Sequence, residues 1–205
     1  VGHNFVVYHK IIPQNFVEIS TNYTTKFCGI ICGIICGRFC GRGIFGEMEK
    51  IADWMTANLP AKENAGLIHN DFKYDNLILQ AENPREVKAV MDWEMATVGD
   101  PLMDLGSALA YWVDRDDEPG FASLRRQPSH LPGMPTRDEF VAKYLAASGV
   151  RCDDFTFYEV FGLFRLAVII QQIWARYVAG QTTNPAFAGF GDACNTLINR
   201  AESKI

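Results

Sequence analysis

Apolar residues recur with a helical period from about residue 46 onward. A first helix is predicted over residues 47–59, and Pro60 follows it as a stop signal. The apolar face of this helix consists of Ile51, Trp54, Met55 and Leu59. A face of this kind must pack against other elements, so the pattern indicates a helix of a folded core.

The middle of the chain predicts a short strand and a second helix. Residues 87–91 form an apolar strand that ends at Asp92, with Pro84 in the turn before it. The second helix opens at Gly99-Asp100-Pro101, because Asp is a good helix cap and Pro suits the first helical position. Its apolar stripe consists of Leu102, Leu105, Leu109 and Trp112.

The C-terminal part predicts three further helices after an irregular excursion over residues 114–135, a kind of loop that often carries substrate contacts. Thr136 and Glu139 form a capping box that opens a helix to Ala147, with Gly149 just past its end. A long helix over residues 155–178 is apolar enough to be central to the core. A last helix is predicted over residues 185–201.

The first 45 residues show no clean helix or strand period. Their clearest feature is a tetrapeptide repeat that places Cys28, Cys32, Cys36 and Cys40 at every fourth position, each followed by Gly. On a helix the thiols would form a stripe able to hold a soft metal, but Gly disfavours that helix and metal sites normally use tighter cysteine pairs. A low-complexity segment or a translated DNA repeat is the simpler interpretation, and a domain boundary is predicted near Gly46.

Composition narrows the function classes. The 205 residues are 48% hydrophobic and 12% aromatic, as expected of a globular protein. A formal net charge of -5 gives no electrostatic footprint for nucleic acid or an anionic membrane. The long apolar helix contains Glu159, Arg165 and Arg176, so we expect a buried helix rather than a membrane span. No secretory signal is visible, which predicts a cytoplasmic protein with Cys152 and Cys194 as reduced thiols.

The candidate chemistry lies in the stretch from His69 to Asn76, which has the pattern H-x-D-x-K-x-x-N. Apolar residues precede and follow it, so both ends of a polar loop would be pinned while its side chains face a cleft. Phosphoryl transfer needs few protein groups: a carboxylate that takes the proton of the acceptor hydroxyl, and oxygen ligands for Mg²⁺. Asp71, Asn76 and the downstream Asp92 supply those groups.

This loop resembles the catalytic loop of the protein-kinase-like superfamily, and more closely that of the phosphotransferase family of aminoglycoside and choline kinases. The matching phrases are His69-Asn70-Asp71 with Asn76, then Met91-Asp92-Trp93-Glu94, then Gly99-Asp100-Pro101 with Asp104-Leu105. The segment over residues 157–167 is similar to a branch of that family found fused to acyl-CoA dehydrogenases. The resemblance implies an α+β, mostly α fold over residues 46–205, the C-terminal lobe of the kinase-like fold.

The resemblance also implies residue roles. Asp71 would be the catalytic base, Lys73 a cation near the transferred phosphate, and His69 a brace of the loop. Asn76 and Asp92 would bind Mg²⁺ and, through it, ATP. Asp104 would hold the loop backbone from a helix N-terminus, whereas Glu94 has two open interpretations, support of the metal site or an exposed acid. Asn70 stands where the family usually has Gly, but a short polar side chain tolerates unusual backbone angles.

Two functions follow from the resemblance. In the first, the protein transfers the γ-phosphoryl group of Mg-ATP to a hydroxyl of a small molecule, which for this branch would be a hydroxyacyl thioester. In the second, it is a kinase-like fragment or binding module without catalytic activity. The second arises because the residues before Gly46 contain neither a kinase-like glycine loop nor a V-A-x-K strand, the features that clamp phosphates in the family.

Overall fold

Helices dominate the computed structural model, which describes residues 45–61 and 64–205. The six α-helices of this part are α1 (Phe45–Ala57), α2 (Pro101–Leu109), α3 (Pro119–Ala122), α4 (Arg137–Ser148), α5 (Thr156–Val178) and α6 (Phe190–Glu202). The four strands are β1 (Gly66–Ile68), β2 (Leu77–Leu79), β3 (Val87–Val90) and β4 (Thr97–Gly99). The Cys28/Cys32/Cys36/Cys40 repeat lies outside the described residues, so its interpretation and the proposed boundary stay predictions.

The strands form two antiparallel pairs, β1 with β4 and β2 with β3. Leu67 of β1 lies opposite Val98, and Leu77 of β2 lies opposite Val90. The polar loop between β1 and β2 is therefore held at both ends by strands that come later in the chain. This confirms the prediction that short apolar flanks fix the loop.

The predicted helix signals coincide with real helix ends. Asp100 caps α2 through its side chain, which accepts a hydrogen bond from the Leu102 backbone N–H at 2.9 Å. The Thr136 and Glu139 capping box is present at the start of α4. Gly149 ends α4 with φ at 73°, a left-handed conformation that favours glycine. These local signals are confirmed. Each involves groups close in sequence, which is why the sequence could predict it.

The core lies where α5 packs between α2 and α6, with α1 closing one side. The N-terminal half of α5 is buried, including Phe157, Phe161 and Phe164, as predicted for a helix central to the core. By length and composition α5 could cross a membrane, but 61% of its most apolar window is buried inside the protein, which is the pattern of a core helix.

Some predicted boundaries are wrong. The helix α2 ends at Leu109, so Trp112 is buried beyond the helix and not on its stripe. The last helix begins at Phe190, not at residue 185, because Pro185 opens a separate turn of 3₁₀ helix over Pro185–Phe187. The excursion is also less irregular than predicted, since it contains α3 and a second 3₁₀ turn over Pro128–His130.

Candidate active site

The loop after β1 is held by a buried carboxylate on α2. Both oxygens of Asp104 accept backbone hydrogen bonds, from the His69 N–H at 2.7 Å and from the Asn70 N–H at 2.8 Å. Asp104 is 0% exposed and lies in the first turn of α2, where the helix dipole favours a negative charge. This geometry matches the scaffolding role predicted for Asp104.

Asn70 adopts the backbone angle that lets these two amides point at one carboxylate. Its φ is 64°, in the left-handed region, and its side-chain amide donates to the Met95 carbonyl at 2.9 Å. The structure therefore confirms that a short polar residue fits this position. Asn is suited to it because its side chain satisfies a neighbouring carbonyl that Gly could not reach.

His69 is fully buried and connects the loop to the β3 end. Its Nδ1 accepts a hydrogen bond from the Asp71 N–H at 3.2 Å, while Nε2 contacts the Met91 carbonyl at 2.7 Å. Both contacts fit a ring with its proton on Nε2. Trp93 covers the ring, with centroids 5.0 Å apart. His69 thus connects the Asp71 backbone to the segment that precedes Asp92.

Asp71, Lys73 and Asn76 are brought together on one turn. The Lys73 ammonium donates to Asp71 Oδ2 at 2.6 Å, and the Asn76 amide donates to the same oxygen at 3.2 Å. Asn76 also donates to the Asp71 carbonyl at 2.8 Å. A carboxylate held by a cation and an amide is fixed in orientation, which is what a proton acceptor in a transfer reaction requires.

The Lys73 ammonium is kept in its charged form. Burial lowers its pKa, but the hydrogen bond and the charge of Asp71 together outweigh burial and raise the pKa above its usual value. The ammonium also lies 5.6 Å from the centre of the Tyr111 ring. Burial, and after it the charge of Asp71, raises the pKa of the Tyr111 phenol, so its hydroxyl stays protonated beside the pair.

Asn76 and Asp92 lie at the same end of the β2–β3 hairpin. The Met91 N–H donates to the Asn76 carbonyl at 2.8 Å, and Asp92 is the next residue after this backbone hydrogen bond. Asp92 is exposed and takes a left-handed backbone with φ at 63°. Within the described part of the chain its carboxylate accepts no hydrogen bond, and the amide oxygen of Asn76 remains available because its nitrogen serves Asp71.

These two residues fit a magnesium ion in chemistry, since both offer hard oxygen ligands. Across residues 45–61 and 64–205 no three His, Cys, Asp or Glu side chains gather as a metal site. A site built from one Asn and one Asp does not need such a cluster, because Mg²⁺ commonly takes few protein ligands and keeps waters and phosphate oxygens. The metal roles of Asn76 and Asp92 stay predictions.

Glu94 keeps both of its predicted interpretations, and two residues that the sequence did not predict contact the loop. Glu94 is exposed and shows no feature that favours metal support over a solvent-facing acid. Tyr111 and Gln127 contact the loop but carry no motif in the sequence. Gln127 reaches the loop from the excursion, 53 residues after Tyr74, so only the fold reveals it.

Comparison with known proteins was decisive for the family. The family model of the phosphotransferase enzyme family matches residues 40–154, which include the whole loop, Asp92 and Asp104. The chain belongs to the phosphotransferase enzyme family. The resemblance to this family, drawn from the phrases around Asp71, Asp92 and Asp104, is therefore confirmed.

Two curated relatives are acyl-CoA dehydrogenase family proteins of Mus musculus. Family member 10 is 37% identical over 75% of this chain and 14% of its own length. Family member 11 is 31% identical over 67% of this chain and 18% of its own length. The chain thus spans less than a fifth of either relative. These matches confirm the branch indicated by residues 157–167.

A solved structure supports the fold. A provisionally assigned aminoglycoside phosphotransferase from Ralstonia eutropha superposes with a TM-score of 0.80 over 99% of this chain and 62% of its own, at 20% identity. At this identity the likeness concerns the fold alone. The phosphotransferase described here therefore has a kinase-like α+β fold that is mostly α, as predicted.

Proposed function

We propose that this chain is the catalytic lobe of a kinase that transfers the γ-phosphoryl group of Mg-ATP to a hydroxyl of a small molecule. The observation that carries the proposal is the Asp71 carboxylate, which accepts hydrogen bonds from Lys73 at 2.6 Å and Asn76 at 3.2 Å. Asp104 holds the backbone of the same loop. Family membership supports the same reaction class.

In this reaction Asp71 orients the acceptor hydroxyl and accepts its proton. The hydroxyl oxygen forms a bond to the γ-phosphorus, the bond from that phosphorus to the bridging oxygen breaks, and ADP leaves. Lys73 stays protonated and would neutralise charge that develops on the transferred group. The proton acceptor and the cation are thus supplied by neighbouring positions on one turn.

Asn76 and Asp92 would hold Mg²⁺ through oxygen atoms. When bound, the ion supplies positive charge to the phosphate oxygens. The buried Asn76 is fixed by its bonds to Asp71, whereas the exposed Asp92 can adapt to the nucleotide phosphates. The pair therefore combines one fixed and one adjustable ligand.

The names of the relatives support a proposal for the acceptor class. Both mouse proteins are named as acyl-CoA dehydrogenase family members, which supports a hydroxyacyl thioester as the acceptor. A kinase domain on such a protein would act on a compound related to the dehydrogenase substrates. We propose this acceptor class for the chain, acting in the cytoplasm and without nucleic acid or membrane partners.

Nucleotide binding is the first test. A ligand about tenfold above its Kd stabilises a protein by about 1.4 kcal/mol, so Mg-ATP is expected to raise the Tm by about 3 to 6 °C. Asp92→Ala should abolish the Mg²⁺-dependent part of this shift, as measured by differential scanning fluorimetry. Asp153→Ala, the same change at an exposed loop residue, is the control and should keep it.

Absence of any shift for the unchanged protein at millimolar Mg-ATP would refute an enzymatic role for this chain. It would favour the alternative function, an inactive kinase-like fragment or binding module. A shift that survives Asp92→Ala unchanged would instead remove Asp92 from the magnesium site while leaving nucleotide binding intact.

Catalysis is the second test. Transfer of labelled γ-phosphate to a hydroxyacyl-CoA is expected for the unchanged protein, and Asp71→Asn should lower kcat by about 100-fold or more because the proton acceptor is lost. The Tm shift with Mg-ATP should persist in this variant. Equal turnover in Asp71→Asn would show that Asp71 is not the base, and transfer to aminoglycosides alone would refute the thioester acceptor.

A further inference from the structure

A buried side-chain amide links the excursion to the catalytic loop. Gln127 is 7% exposed, and its Oε1 accepts a hydrogen bond from the Tyr74 backbone N–H at 2.9 Å. Its Nε2 donates to the Tyr111 carbonyl at 3.4 Å, a longer and weaker bond. One residue of the excursion thus contacts two other segments of the site.

Both contacts lie beside Lys73. Tyr74 follows Lys73 and begins the 3₁₀ turn over Tyr74–Asn76, which carries the predicted magnesium ligand. Tyr111 places its ring 5.6 Å from the Lys73 ammonium. The Gln127 amide therefore binds the backbone of Tyr74, which follows Lys73, and the backbone of Tyr111, whose ring lies beside the Lys73 ammonium.

Packing alone does not explain a glutamine at this position. The small cavity that Gln127 borders is lined mainly by apolar side chains: Phe72, Leu77, Ala108, Leu109, Trp112 and Phe140. An amide buried among such residues costs free energy unless its polar atoms are bonded, whereas an apolar residue of similar length would fill the space without that cost. The polar group is therefore explained by the bonds it makes.

The excursion holds Gln127 in place. Ser129, two residues later, is buried and bonds to both backbone groups of Val113, donating to the carbonyl at 2.8 Å and accepting from the N–H at 3.0 Å. Gln127 thus extends from a segment that is itself anchored next to Trp112. A side chain held at both ends can transmit the position of the excursion to the turn.

We propose that Gln127 is a positioning residue for phosphoryl transfer, setting the Lys73–Asn76 turn against the segment after α2. This inference rests on the proposed function. It assigns no contact with substrate to Gln127. The side chain acts through Lys73 and Asn76, whose placement relative to Asp71 decides how well the reacting groups are aligned.

Two variants separate this role from packing. Gln127→Met keeps the length and removes both hydrogen bonds, whereas Gln127→Glu keeps an oxygen that accepts from the Tyr74 N–H. We expect Gln127→Met to lower kcat about 10- to 100-fold, the range for small misplacements of reacting groups, with KM for Mg-ATP within about threefold. Gln127→Glu, which keeps the bond to Tyr74 but replaces the donor to the Tyr111 carbonyl with an oxygen, should recover only part of the loss, and Gln181→Met, at an exposed residue, should have no effect.

Amide exchange measured by NMR gives a readout independent of turnover. In Gln127→Met the Tyr74 amide should exchange about tenfold faster than in the unchanged protein, after correction for global stability, while amides of α4 stay protected. Unchanged exchange at Tyr74, or an unchanged kcat in Gln127→Met, would overturn the positioning role. If the unchanged protein transfers no phosphate, the proposed function fails, and the exchange result still decides whether Gln127 fixes the turn.

Discussion

At the scale of single residues, the catalytic loop depends on a few buried polar groups whose partners are far apart in sequence. The loop motif is local, so Asp71, Lys73 and Asn76 could be named from the sequence, and Asp104 could be predicted as their support. Gln127 could not, since nothing near it in the chain distinguishes it from an ordinary loop glutamine. Its role depends on a bond to Tyr74 that exists only in the folded chain.

Asn70 offers a test of the loop backbone at this scale. Asn70→Ala loses the hydrogen bond to the Met95 carbonyl, worth about 1 kcal/mol. It also puts alanine, which has a Cβ but no polar group to stabilise a left-handed backbone, at φ 64°, which costs about 1 kcal/mol more. Asn70→Gly should lose mainly the bond. Urea unfolding is therefore expected to rank Asn70→Gly above Asn70→Ala by about 1 kcal/mol, and equal stabilities would show that the left-handed angle carries no cost here.

At the scale of elements, helix caps were predictable and helix contacts were not. The Thr136 box and the Asp100 cap involve neighbours in sequence, so the start of α4 and of α2 could be placed. The crossing of α2 and α5 could not be foreseen, because it depends on Gly106 and Gly162, two residues that local patterns treat as weak helix formers. In the structure these glycines let the two helix backbones touch.

Gly162→Ala should therefore disrupt the crossing. A Cβ built at Gly162 would collide with the Gly106 carbonyl, and backbone cannot move aside as a flexible side chain can. We expect the free energy of unfolding to fall by about 3 kcal/mol, at the upper end of overpacking costs. Gly46→Ala in α1 is the matched control, since no atom of residues 45–61 or 64–205 lies within 4 Å of the added atom, and it should leave stability unchanged or raise it by up to about 1 kcal/mol. Equal small effects at both glycines would argue against close backbone contact.

At the scale of the whole molecule, an ion network fastens the excursion to α4 and α6. Arg137 of α4 forms paired hydrogen bonds with Asp117 at 2.6 and 2.7 Å, and Arg200 of α6 contacts the same carboxylate at 3.0 Å. Both guanidinium groups lie over the ring of the buried Phe121. The side chain of Asp117 is only 5% exposed, so its charge depends on these partners.

Removing one partner should cost more than a surface ion pair. Burial alone would raise the pKa of Asp117, but the bonds and charge of Arg137, with Arg200, hold it below its usual value. Arg137→Met is expected to lower the free energy of unfolding at pH 7 by about 3 kcal/mol, because it leaves a buried carboxylate short of a partner. The exposed Arg151→Met serves as the control.

The sign of the pH dependence follows from the lowered pKa. Stability from Asp117 is fully present above the carboxyl pKa of the unfolded chain, near 4, and is lost as the pH falls through the lower folded value. The difference between the unchanged protein and Arg137→Met should therefore be largest at neutral pH and shrink across the acidic range, from the pKa of Asp117 in the variant, which lacks the lowering by Arg137, down to its lower pKa in the unchanged protein. A difference that stays constant over this range in urea titrations would mean that packing of Arg137 on Phe121, and not its charge, explains the loss.

The backbone contact at Gly106 and Gly162 also has a mechanical consequence. Asp104, which binds the backbone of the catalytic loop, lies half a turn from Gly106 on the same short helix. At Gly106 the main chain of α2 contacts the main chain of α5 directly. At this point no side chains separate the two helices, so no change of rotamer can absorb a displacement of one helix relative to the other. A displacement of α5 would therefore be passed to the loop that carries Asp71 through the main-chain contact and the two hydrogen bonds of Asp104.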